Sequence, residues 1–251
     1  MGEARYDTIG RNYARHRRTD PSWLAEIVDA LDGAHRVLNV GAGAGSYEAL
    51  AADVVALEPS RVMLDQRGAD AAPAVQAFAE AVPFANDAFD ATLGVLTMHH
   101  WTDRLAGLRE LDRVAPRHVL TVYEPLEAHD FWLIDYFPET AESDMEVNAP
   151  TPATVAEVLD VVDVRTLWVT RDCPEGFAAA SWARPHDYLD AERQQAISLL
   201  ALADADVLAR GTARLRDDLE SGRWYDRYAH VIEAERADFG YRLVTAVRRG
   251  G

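Results

Sequence analysis

Two groups of residues have the types and spacing for chemistry. The first is the run Val37-Leu38-Asn39-Val40-Gly41-Ala42-Gly43-Ala44-Gly45, followed seventeen residues after Gly41 by Glu58, which comes directly behind the apolar Val54-Val55-Ala56-Leu57. A buried strand that ends in a turn without side chains lets the backbone approach a ligand, and glycine adopts the dihedral angles such a turn needs. A carboxylate at the tip of the neighbouring strand can accept hydrogen bonds from two ribose hydroxyls. Together they describe a seat for the adenosine end of a nucleotide-like cofactor. A dinucleotide fingerprint would put glycine at positions 41, 43 and 46, but position 46 is Ser46 and the third glycine is Gly45, so the spacing favours a cofactor without a pyrophosphate.

The second group is His99 and His100, which follow an apolar run ending at Val95. Open α/β sheets take their ligands beyond the carboxyl ends of the strands, and histidine titrates in the range a general base needs. In extended backbone adjacent side chains diverge, so one of the two is expected to face the site. A structural histidine bonded to a loop carbonyl explains the same residue types. Tyr123 and Glu124 are candidates for orienting an acceptor, with strand-end packing and a turn at Pro125 as the ordinary explanation.

These residues need a frame. Trp23, Leu24, Ile27, Val28 and Leu31 recur at helical spacing, and Asp20-Pro21 supplies a helix start, so residues 6–31 read as a helical lead-in. Strand-length apolar runs follow at 36–40, 54–57, 74–78, 89–95 and 119–123, with an amphipathic helix at 105–114 and the glycine turn leading into a helix of its own. A helix at 152–159, a strand at 161–169 and a last strand at 241–247 complete the pattern. Strands alternating with helices predict an α/β, Rossmann-like, open and mostly parallel seven-stranded sheet with helices on both faces. The gap before the last strand far exceeds an ordinary connection and predicts a helical insertion at 171–238, with helical periodicity at 191–208 and 215–228. A second, shorter insertion is expected at 130–139, and the aromatic residues of both could roof an apolar acceptor pocket or simply pack.

The domains expected are a lead-in or cap at 1–35, an α/β domain at 36–170 and 239–251, and the insertion at 171–238 as a substrate lid. With 251 residues, 49% of them hydrophobic, the chain can build one substantial core with an appended subdomain. Its 42 acidic against 25 basic residues give a net charge of -17, which repels a phosphate backbone, so no nucleic-acid partner is expected. Neither a signal peptide nor a membrane span can be drawn, so a cytoplasmic protein with no membrane partner is expected. The single cysteine, Cys173, rules out an intrachain disulfide or thiolate cluster. His129, Asp130, Asp144 and Glu146 lack a ligand spacing, so no metal is expected.

The stretches VLNVGAGAG at 37–45, ALEPSRVM at 56–63, AEAVPFANDAFDA at 79–91 and MHHW at 98–101 resemble a class I S-adenosylmethionine-dependent methyltransferase of the small-molecule type. The resemblance implies S-adenosyl-L-methionine as cofactor and a small-molecule acceptor methylated at oxygen, nitrogen or carbon, in a monomer or homodimer. It places the backbone around Gly41, Ala42 and Gly43 against the methionine part and Glu58 at the ribose, with Pro59 beside it among the cofactor-binding residues. Met63 would lie against the adenine, whose edge would meet the backbone of Ala79 and Glu80, and Val95 and Leu96 would line the methionine side. Tyr13 and Arg17 would close over the cofactor, and His100, just before the tryptophan, would be the catalytic base. The chain departs from the pattern at Asn39 and Phe78, where the family often carries acids. An alternative is a methyltransferase-like protein that binds S-adenosylmethionine or S-adenosylhomocysteine without methyl transfer, as a cyclase, rearrangement catalyst or binding module.

Overall fold

The computed structural model describes residues 18–250. Helix α1, Pro21–Leu31, begins where the Asp20 carboxylate accepts the N–H groups of Ser22 (2.8 Å) and Trp23 (3.2 Å). It ends at Asp32, whose left-handed φ of 52° stops the helix. Between these ends Trp23, Ile27, Ala30 and Leu31 are buried on one face.

Strands β1, Arg36–Val40, β2, Asp53–Leu57, and β3, Ala74–Val75, are followed by β4, Ala91–Val95, and β5, Arg117–Tyr123. Then come β6, Asp160–Thr166, the short β7, Val169–Thr170, and β8, Arg236–Ala237, which pair with each other, and finally β9, Tyr241–Val247. The main sheet has seven strands in the order β3-β2-β1-β4-β5-β9-β6, parallel except for β9, which runs against both neighbours. The expected architecture therefore holds, with one strand reversed. β3 stops at Val75 instead of reaching position 78, because its one partner, β2, ends before Pro59, which has no N–H for the ladder. The strand expected at 161–169 breaks after Thr166, since Val169 and Thr170 leave the sheet to pair with Ala237 and Arg236. That ribbon is the neck of the insertion.

Helices α2, Arg61–Leu64, α3, Arg104–Val114, α4, Asp144–Val147, and α5, Pro152–Ala156, accompany the strands. Leu38, Val40, Leu120 and Val244 of the sheet pack on Leu108, Leu111 and Val114 of α3 and Val155 of α5. The alternating residues Val37, Leu93, Val119 and Leu243 face Trp23 and Ile27 of α1 and the aromatics of the insertion. Each such fully buried large side chain contributes about 1.5–3 kcal/mol.

The insertion is more broken than its periodicity predicts: α6, Ala191–Ala196, α7, Ser198–Ala201, α8, Ala205–Ser221, α9, Arg223–Arg227, and α10, Ala229–Glu233. Ile197 is extended between α6 and α7, and Gly222, at φ 82°, ends α8 where helical spacing runs straight on. The shorter insertion is a series of 3-10 turns, Leu126–His129, Trp132–Asp135 and Pro138–Glu142. Trp132 joins the two insertions: its ring lies 5.3 Å from Tyr188 and 5.1 Å from Trp224, and its Nε1 donates to the Trp182 carbonyl at 2.8 Å. Among the described residues no helix is long and apolar enough to cross a membrane.

Candidate active site

The carboxyl ends of β1, β2 and β4 frame a cleft of about 650 Å³. Its floor is the glycine turn. Gly41 has φ 66°, and a Cβ there would lie 1.8 Å from Thr97 Oγ1, so the turn and the segment after β4 touch only because no side chain intervenes. The N–H groups of Gly41 and Ala42 both donate to the Leu57 carbonyl, at 2.8 and 3.2 Å, and lock the turn to the end of β2. Glu58 is buried, 4% exposed, and its two oxygens accept from Gly43 N at 2.9 Å and Ser60 N at 2.8 Å. Those bonds fix the carboxylate on the cleft wall.

The helix expected after the glycine turn is absent. Residues 46–52 are irregular, and Tyr47 stands at φ 59°. A side-chain network takes the helix's place: Glu48 accepts from Arg67 Nη2 at 2.8 and 2.7 Å and from Ala72 N at 2.9 Å, while Arg67 Nη1 donates to the Gly43 carbonyl at 3.1 Å. Asn39 joins it through Nδ2, 3.3 Å from Glu48 Oε1. A carboxylate at position 39 would face that of Glu48, which is the local reason for an amide there.

The other expected cofactor residues, Pro59, Met63, Ala79, Glu80, Val95 and Leu96, line the same cleft, as does Phe78. The Glu80 carboxylate is turned to the start of α3, accepting from Thr102 N at 2.7 Å and Asp103 N at 3.1 Å. Leu96 is held at φ 47° with its N–H on Thr121 Oγ1 at 2.6 Å, and a non-glycine residue in that region costs about 1–3 kcal/mol. Tyr13 and Arg17 lie outside the described residues.

His99 and His100 do not diverge, because Met98–His100 is a 3-10 turn rather than extended backbone. Both rings line the cleft, with centroids 3.8 Å apart. Only His99 also borders a second compartment, of about 50 Å³, and there it stands edge-on to Tyr123 at 5.4 Å. Leu96, Tyr123, Phe177, Leu199 and Tyr241 line that compartment together with the buried Glu146. Glu124 takes no part, being committed to Arg242 at 2.9 Å and His129 at 2.8 Å. Cys173 is buried, and desolvation raises its thiol far above the ordinary range, so it carries no nucleophile.

Several site residues carry no local signal in the sequence. Thr97 and Arg67 reach the glycine turn from other segments, Glu175 reaches the cleft from the insertion, and Glu146 sits on a four-residue helix. One signal was available: a threonine two residues past β4 is small enough to seat against glycine.

Residues 23–118 match the family model of a methyltransferase domain. A candidate methyltransferase from an antibiotic biosynthesis pathway of Anabaena variabilis is 28% identical, with 92% of this chain and 99% of that one covered and a TM-score of 0.85. The [4+2]-cyclase SpnF is 16% identical at a TM-score of 0.52, with 98% and 95% covered. A candidate methyltransferase of Bacillus halodurans is 17% identical at 0.52, with 90% and 99% covered. The last two share the fold alone. No curated protein sequence matches the chain. Residues 23–118 thus resemble a methyltransferase domain, and the chain has the class I, S-adenosylmethionine-dependent methyltransferase fold.

Proposed function

We propose that this protein transfers a methyl group from S-adenosylmethionine to a small-molecule acceptor. The observation that carries the reading is the junction at Leu96 and His99, where a cleft floored by the glycine turn and Glu58 meets a small compartment walled by aromatic rings. When bound, the cofactor supplies a methyl carbon on a positively charged sulfur, so an acceptor lone pair forms the new bond as the carbon–sulfur bond breaks and sulfur leaves as a neutral thioether. Glu58 and the Gly41–Gly43 turn would hold the adenosine and methionine ends, with Met63 and Phe78 packing on the base. Asn39, its amide nitrogen committed to Glu48, offers its oxygen as a neutral acceptor. His100 stays beside the cofactor cleft and His99 takes the place nearest the acceptor, so of the pair His99 is the better-placed base. Orientation and exclusion of water do most of the work in such a displacement, and the insertion supplies the roof.

Calorimetry with S-adenosylhomocysteine tests the cofactor half, and incubation of cell extracts with methyl-labelled cofactor tests transfer. Micromolar binding and a labelled small molecule are the expected results. No binding overturns the reading. Binding with no labelled product from any acceptor replaces it with a cofactor-holding cyclase or binding module.

A further inference from the structure

The compartment beside His99 has a chemistry of its own. Glu146 is 3% exposed, and one of its oxygens accepts from Leu126 N at 2.9 Å. Among the described residues the other oxygen takes no hydrogen bond, and Glu146 lines the compartment. Three rings stand with it: Tyr241 is 4.7 Å from Phe177 and 6.2 Å from Tyr123, centroid to centroid. Neither arginine nor lysine lines this space among the described residues, so a carboxylate or phosphate would meet only an acid and π faces. A cation or a hydrogen-bond donor would meet the reverse. About 50 Å³ holds a few non-hydrogen atoms, the reacting end of a molecule rather than the whole of it.

We propose that this compartment receives the nitrogen of a small primary or secondary amine, with Glu146 as its hydrogen-bond partner and Tyr123, Phe177 and Tyr241 as its walls. The assignment rests on the methyltransferase reading and names the acceptor class within it. An ammonium entering the compartment passes one proton to the Glu146 carboxylate: the N–H bond breaks, the O–H bond forms, and the nitrogen regains its lone pair. Burial raises the proton affinity of Glu146 above that of an ordinary carboxylate, against a smaller opposing effect of the Leu126 N–H, and so favours that transfer. After methylation the nitrogen bears the charge given up by sulfur, the product leaves as the methylammonium, and Glu146 then loses its proton to water. His99, on the cofactor side, is the other titratable group facing this space with Tyr123 and Tyr241.

The test is calorimetry with 2-phenylethylamine, the isosteric 2-phenylethanol and phenylacetate, each with and without saturating S-adenosylhomocysteine. The amine is expected to bind about tenfold or more tighter than the alcohol, and phenylacetate not at all. Glu146→Gln keeps an oxygen for Leu126 N–H and should abolish the preference while leaving S-adenosylhomocysteine affinity within about twofold. Ala178→Leu fills the compartment from the insertion side and should remove amine binding without touching Glu146. Equal binding of amine and alcohol, or a preference that survives Glu146→Gln, overturns the proposal. An intact preference in a protein that fails to bind S-adenosylhomocysteine overturns the methyltransferase reading, and with it the amine's role as methyl acceptor, and leaves only an amine-binding site.

Discussion

The cofactor cleft and the compartment proposed for the acceptor share Leu96 and His99 but are made of different material. The floor of the cleft is backbone: a glycine turn, strand-end amides and one carboxylate held by two of those amides. The compartment is side chain, drawn from the ends of β4, β5 and β9, from α4, and from the insertion. A backbone site can be reshaped only by changing its glycines, whereas a side-chain site changes with each substitution at its wall. One fold can thus keep its cofactor and exchange its acceptor.

The largest expected effect separates the two regions by stability. Trp132→Ala removes a ring wedged between Tyr188 and Trp224 and should cost about 3–5 kcal/mol in urea unfolding. S-adenosylhomocysteine affinity of the folded fraction should hold; if it falls in step, the regions are one.

Acid is the second probe. His118 on β5 is buried against Thr92, 2.9 Å away, and burial lowers it from its ordinary 6.5 to about 3. Below about pH 6.5 the unfolded chain binds a proton that the folded chain refuses, so stability declines as pH falls toward 3 and then levels. The slope is up to about 1.4 kcal/mol per pH unit, or about 2–3 kcal/mol between pH 6.5 and 4.5. His118→Gln should flatten it. Because β5 serves both regions, cofactor binding and the near-ultraviolet signal of the insertion's tryptophans should be lost at one pH, and two separate transitions would show the insertion to be its own unit.

The smallest effect on folding has the sharpest effect on function. Gly41→Ala forces a methyl group onto Thr97 at a positive φ, and overpacking of about 1–3 kcal/mol should weaken S-adenosylhomocysteine about 10–100-fold. The double variant with Thr97→Gly should recover part of the loss, and no recovery would mean that this contact is not what glycine protects.

The same division explains what could be read in advance. The sheet was legible because buried strands announce themselves by composition, and the cofactor side because glycine spacing and Glu58 lie within one local unit. The helix after Gly45 was not, since Tyr47 is bound by groups distant in sequence: its N–H by Thr19 Oγ1 at 3.2 Å and its hydroxyl by Asp20 N at 3.3 Å. Gly222 was a readable stop that helical periodicity alone overrides. Expecting the histidines to diverge presumed extended backbone, and the 3-10 turn reverses that geometry. Glu146 was weighed only as a metal ligand, because its place here comes from rings brought to it by the insertion.

The Glu48–Arg67 pair carries a last consequence. Its side chains are only 6% and 7% exposed, beyond the reach of most counterions, whereas Arg165 bridges Glu26 and Asp29 from an open edge of the sheet. Dissolved salt should therefore loosen the strap between α1 and β6 while leaving the glycine turn in shape. The shape of the cofactor's seat should then be largely indifferent to ionic strength.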